Sequence, residues 1–226
     1  MNRPFPTQIG SVALLVGLTG LARPAAADPT PALRIVLQVY NPARIPPGIL
    51  SRAKTDLTRI YRDVGIDARW ADPAPTAIGR DGQHARTASS PRLTLTILSR
   101  EMTDEVAIAG TALGATSGTR EGGGRAAFIF YHRVERIART YLNTARRRAT
   151  YDIDNVIVLA HAMAHEIGHL LLPYGHSATG LMRAEWDGND LRLAVRGRLT
   201  FTAEQVELIR AGLLTRIAGE SASAIQ

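Results

Sequence analysis

Residues 161–186 read HAMAHEIGHLLLPYGHSATGLMRAEW, and this stretch constrains the fold more than any other. Residues 165–169 spell HEIGH, an H-E-x-x-H pattern. On a helix, positions i and i+4 share a face, so His165 and His169 can aim their imidazoles at one ion. Glu166 sits one position round, close to that ion but out of line with the histidines. From there it can accept a proton from a water at the metal. Neutral imidazole suits zinc, and a catalytic zinc takes three protein ligands and keeps one position open. Residues 153–160 are apolar almost all round, as in a buried central helix. Such a helix gives its ligands rigid support. The plain alternative is a buried helix with incidental histidines.

Further along, His176 follows Pro173, Tyr174 and Gly175, and Met182 follows Gly180 and Leu181. Together with HEIGH, this resembles the metzincin clan of zinc metalloproteases, specifically the secreted matrixin-like bacterial proteins. Their motif is H-E-x-x-H-x-x-G-x-x-H followed by a Met-turn. The resemblance implies that His165, His169 and His176 bind zinc, that Glu166 is the general base, and that Met182 forms an apolar floor below the metal. It also implies an α/β (α+β) zincin fold: a twisted mixed sheet backed by helices, an active-site helix, and a small C-terminal part with the Met-turn and a last helix. Its specific part covers residues 161–202. Two positions depart from the motif. Leu172 stands where the family has the turn glycine, and His176 comes one residue late because Gly175 occupies its slot. Pro173 cannot continue a helix and Gly175 can take a positive φ, so the chain can still turn back to the metal.

Residues 1–27 have the pattern of a secretory leader. Arg3 supplies positive charge, residues 9–21 are an apolar segment too short to span a membrane comfortably, and Ala25, Ala26 and Ala27 offer a cleavage site. The expectation is a mature chain from Asp28, a single catalytic domain over 28–226, secreted or periplasmic, with no stable membrane insertion. An uncleaved N-terminal anchor is the alternative. There is no cysteine. Disulfides, a thiol–zinc latency switch and a sulfur-linked lipid are therefore excluded, and stability must come from an apolar core. No room is expected for a long pro-segment before the first strand.

The formal net charge is +7, and Lys54 is the sole lysine. The one dense basic run is Arg146, Arg147 and Arg148. Nucleic-acid binding calls for such clusters with stacking aromatics, which are scarce here. A solvated basic face is the simpler reading. The expected partner is a protein or peptide substrate, and the expected state is a monomer.

The remaining pattern predicts an alternating α/β order. Leu33, Ile35, Leu37 and Val39 alternate as a strand over 33–40. Pro46 and Pro47 open a helix whose stripe is Leu50, Ala53, Leu57, Ile60 and Val64, closed by Gly65. Strands follow at 66–70 and 92–98, the first forming a crossover unit with 33–40. Residues 71–91 read as a loop containing His84, a solvent-exposed histidine rather than an extra ligand. Thr111–Thr116 is a short candidate strand. Residues 122–124 are glycines with no G-K-[ST] after them, which excludes a phosphate loop. In metzincins the corresponding place holds an edge strand lining the cleft.

A strand at 126–131 leads to His132, read as structural, and to a helical stripe through Val134, Ile137, Ala138, Tyr141 and Leu142. The active-site helix is expected to start at Tyr151–Asp152, with Asp152 or Asp154 as N-cap. His161 lies one turn before His165: a fourth ligand would close the site, so a packed or supporting histidine is favoured. Trp186 suits packing beneath the site. Residues 183–198 read as loop with short helical pieces. Thr202 and Gln205 form a capping box for a last helix carrying Val206, Ile209 and Leu213 inward, with a frayed tail after Gly219.

The leading expectation is a secreted zinc endopeptidase. A secreted, non-catalytic zinc-containing binding protein of the same fold is the alternative, and a hydrolase acting on a non-peptide substrate is a third. Glu166 favours an enzyme, since a purely structural zinc has no use for it.

Overall fold

The apolar alternation Leu33, Ile35, Leu37, Val39 becomes the buried face of β1 (Leu33–Tyr40). The computed structural model describes residues 33–71, 90–105, 110–117, 124–142 and 148–223, all within one compact unit, Pro31–Gln226. The leader pattern, His84, and Arg146 and Arg147 lie outside the described residues.

After β1, α1 (Pro47–Arg62) opens on proline, whose fixed φ suits a first turn where the N–H has no helical acceptor. Ile49, Ala53, Leu57 and Ile60 are buried at helical spacing along it. Gly65, at φ 78°, swings the chain into β2 (Ile66–Ala71), which lies parallel to β1 with Leu33 opposite Ile66. β3 (Arg92–Leu98) pairs parallel with the other edge of β1. Then come α2 (Arg100–Glu105), β4 (Gly114–Ser117) and β5 (Ala126–Phe130). β5 runs parallel to β3, and β4 runs antiparallel to β5. The order is β2-β1-β3-β5-β4, so the antiparallel β4 is an edge strand. One face of the central strands is sealed, with Ile35, Leu37, Leu93, Leu95, Ile97 and Ile129 fully buried, while Val36, Thr94 and Thr96 on the other face are half-buried.

Next, α3 (Tyr131–Ile137) passes directly into a π-helical turn, Ala138–Leu142. The long α4 (Arg148–Leu171) contacts α1, α3, α5 and α6, and also β4 and β5. α5 (Gly188–Val195) and α6 (Ala203–Ser223) complete the chain. The result is a mixed α/β fold, a five-stranded sheet backed by helices.

Three elements differ from the sequence reading by more than two residues. β4 runs Gly114–Ser117 where a strand was expected at 111–116, because the pairing with β5 starts at Gly114 opposite Ile129. α4 begins at Arg148, so Asp152 and Asp154 lie inside the helix and neither is its N-cap. Arg and Ala are strong helix formers, and they carry the helix back past the acidic residues. α6 stays helical through Ser223, past the point where a frayed tail was expected. Its start matches: the Thr202 N–H donates to Gln205 Oε1 at 2.9 Å and the Gln205 N–H to Thr202 Oγ1 at 3.3 Å.

α4 is anchored at the level of its histidines. Tyr61 of α1 is fully buried and donates its hydroxyl to the Ala164 carbonyl at 3.0 Å. Burial pushes that phenol well above its ordinary pKa. Its ring lies 5.5 Å from that of Phe201, so the helix segment before His165 is clamped between α1 and the approach to α6.

Candidate metal centre

The helical spacing brings His165 and His169 onto one face of α4, as expected. His165 is buried, and its Nδ1 lies 2.8 Å from the Leu181 carbonyl oxygen. A carbonyl oxygen only accepts, so Nδ1 carries the proton and Nε2 presents a bare lone pair. That Nε2 lies 3.0 Å from His169 Nε2. The His176 ring centroid is 5.4 Å from that of His165 and 4.8 Å from that of His169. One ring nitrogen from each of the three lies within 4.8 Å of the others. Two nitrogens bonded tetrahedrally to one zinc at about 2.0–2.1 Å stand about 3.4 Å apart; the His165–His169 pair at 3.0 Å is near that spacing, and the set closes on one ion once the His176 ring moves inward. Burial holds the His165 pKa down at about 4 and the His169 pKa at about 3, with the neighbouring histidines adding to the effect. Both are therefore neutral near pH 7, the form in which imidazole binds a metal. The triad can hold a metal ion.

His176 reaches the centre by a route other than the expected one. The Leu172 N–H still donates to the Gly168 carbonyl at 2.8 Å, and Leu172 is buried in the core. A packed leucine thus occupies the slot where the motif has glycine. Gly175 is not among the positive-φ residues, so it does not supply the turn. Gly180 does, at φ 76°, with its missing Cβ 2.8 Å from the Thr200 carbonyl oxygen. The Ser177 N–H donates to the Met182 carbonyl at 2.9 Å and the Leu181 N–H to the Thr200 carbonyl at 2.9 Å. The residue after His176 is thus tied directly to the turn that carries Met182. Arg183 secures the exit by pairing with Asp187 at 3.1 Å and with Asp190, while Asp187 and Asp190 cap α5 reciprocally.

Met182 is fully buried against α4, where a Cβ on Gly168 would stand 2.5 Å from its sulfur. Its contact is with the helix backbone beside His169, a packing role. Met182→Leu roughly conserves volume and is expected to cost under about 1.5 kcal/mol by denaturant unfolding, with metal content unchanged. Loss of metal on this change alone would show that the sulfur is a ligand.

Glu166 is 5% exposed, and burial pushes its pKa up to about 8 in the metal-free site. Its side chain lies against the edge strand. A Cβ on Gly114 would come within 2.6 Å of Glu166 Cγ, 2.7 Å of its Cδ and 2.4 Å of the Phe128 carbonyl oxygen. Only a glycine leaves room for the carboxylate arm at that point. Gly114→Ala is therefore expected to displace Glu166 and lower turnover at least about tenfold while metal binding survives. Parallel metal analysis and peptide-cleavage rates check this, and an unimpaired rate would mean that the strand yields instead.

Gly114, Ala115, Glu166, Trp186 and the three histidines line a cavity of about 530 Å³. Among the described residues, the two other histidines do not join it. His161 is buried on α4 with Nδ1 donating to the Ile157 carbonyl at 2.8 Å, and burial lowers its pKa. It lies outside the metal-ligating cluster, in line with the packed role. His132 sits on α3, its pKa lowered by burial and by neighbouring arginines, and it too lies outside the cluster.

Sequence reasoning missed Gly114 as the contact of Glu166. It also missed Arg133, a buried arginine that donates from Nη1 to the Ala112 carbonyl at 2.9 Å and so holds the chain entering β4. A small-residue run is the one trace that Gly114 leaves in sequence, and Arg133 leaves none.

No protein-family model and no curated protein sequence matches the chain. The solved structures similar to it include the following two. Archaemetzincin from Methanopyrus kandleri shares 14% identity at a TM-score of 0.40, over 83% of this chain and 99% of that one. Metalloproteinase-II from Bacteroides fragilis shares 12% identity at a TM-score of 0.39, over 83% of this chain and 55% of that one.

Proposed function

We propose that the protein is a secreted, zinc-dependent endopeptidase of metzincin type. One observation carries the reading: three histidines converge at one point of a cavity that also contains a buried carboxylate, Glu166. His165, His169 and His176 would hold the ion. When bound, zinc supplies a Lewis acid that polarises the scissile carbonyl and lowers the pKa of a water to about 7. Glu166 takes one proton from the attacking water and passes it to the leaving amide nitrogen as the C–N bond breaks. Met182 supports α4 from below. Among the described residues, β4 is paired only with β5, so its outer edge can align an extended peptide by backbone hydrogen bonds. The leader pattern of residues 1–27 supports secretion.

The test combines native mass spectrometry with cleavage of a fluorogenic peptide library. Expected are one zinc per chain, chelator-sensitive hydrolysis, and loss of both in His176→Ala. Unchanged zinc affinity in that variant would remove His176 from the ligand set. Zinc binding with no hydrolysis of any peptide would favour the non-catalytic binding protein.

A further inference from the structure

We propose that Trp186 is a positioning residue for the metal centre: its indole N–H shares the Leu181 carbonyl with His165, and that shared acceptor sets the direction of the His165 lone pair. The inference rests on the reading of His165 as a ligand. Leu181 O accepts from His165 Nδ1 at 2.8 Å and from Trp186 Nε1 at 3.1 Å. A carbonyl oxygen has two lone pairs, so both donors are satisfied together. The Leu181 N–H is held as well, by the Thr200 carbonyl at 2.9 Å. The residue is fixed at both its donor and its acceptor. It is also fully buried, so bulk water does not replace a lost partner.

The indole acts on His165 a second time. Its ring stands edge-on to the His165 ring, with centroids 5.7 Å apart at 82°, and edge-on to the His161 ring at 6.4 Å and 89°. His165 is thus steered through Nδ1 and fenced on its side by one residue. Removing the indole N–H frees the Leu181 carbonyl to tilt, and the imidazole that donates to it tilts with it. Hydrogen-bond partners behind metal-bound histidines typically contribute 10–100-fold to metal affinity.

Two replacements test this. Trp186→Phe removes the N–H and keeps an aromatic ring. Exchange of Trp186 for benzothienylalanine keeps the indole outline and removes only the N–H. Zinc affinity is measured by competition with a chelating indicator. The His165 Nδ1 proton is followed by NMR in the metal-free protein, where no ion contributes. Expected are a zinc dissociation constant raised about tenfold or more in both, a displaced His165 Nδ1 proton signal, and little change in the metal-free melting temperature. If the phenylalanine variant does not fold, the isostere decides alone. A wild type that binds zinc, with an isostere of equal affinity and an unmoved His165 signal, overturns this inference only. A wild type that binds no zinc overturns the ligand reading and this inference with it.

Discussion

Glu166→Gln is expected to lower peptide hydrolysis by at least about a hundredfold, the lower end of what a positioned general base contributes. Glutamine keeps the shape that fits against Gly114 and cannot take the proton. Zinc content should not change, because the carboxylate is not one of the converging ligands. Burial adds a second expectation. The Glu166 pKa is about 8 in the folded, metal-free chain against an ordinary 4.5. The folded state therefore holds the proton more tightly than the unfolded one, and ionised Glu166 opposes folding. That penalty is absent below pH 4.5, grows as pH rises, and is complete above about pH 8. The metal-free glutamine variant should melt higher than the metal-free wild type at pH 8.5 and equally at pH 4. A variant of full activity would assign the base to another group, and equal melting at pH 8.5 would show that Glu166 is hydrated in the folded protein.

Acid should act on the metal-free protein in the opposite sense through its histidines. His165 and His169 have folded pKa values of about 4 and 3, below the ordinary 6.5. The unfolded chain thus binds protons that the folded one refuses, so stability is lost as pH falls from 6.5 towards those values. His169 is only partly buried, and solvent reduces its share. In the wild type, protonation of Glu166 gives back part of the loss over the same range. The effect is cleanest in the Glu166→Gln background, where the metal-free melting temperature should fall by about 5–10 °C between pH 7 and pH 4. Adding His165→Gln to that background should flatten the curve. A flat profile before that addition would mean that the imidazoles are solvated, and the picture of a dry ligand face would fail.

The main elements were legible because their periodicities are unambiguous. Period-two alternation at Leu33–Val39 and Leu93–Ile97 and the i, i+4 histidines on a continuous apolar helix leave little freedom. The capping box at Thr202 and Gln205 was equally plain. The misreadings have local physical causes. Acidic residues near a helix start imitate an N-cap, and at Asp152 and Asp154 the helix simply runs through them. A glycine two residues after a proline looks like the turn-maker, yet the positive φ falls at Gly180, where the Thr200 backbone crowds the chain. Gly114 and Arg133 act across the gap between sheet and helix, and no local pattern encodes a contact made at that distance.

The hydrogen bond from the Ser177 N–H to the Met182 carbonyl has a consequence for how such a centre tolerates change. The third histidine is located from its downstream side, by the turn it adjoins, and not by counting residues from the helix end. Between Leu172, packed in the core, and Ser177, pinned to that turn, the chain only has to bridge two fixed points. A Cβ at Gly175 would meet no atom within 4 Å, so this bridge has slack. The sequence spacing from the helix pair to the third histidine can then change by a residue while the convergence of the three rings is preserved.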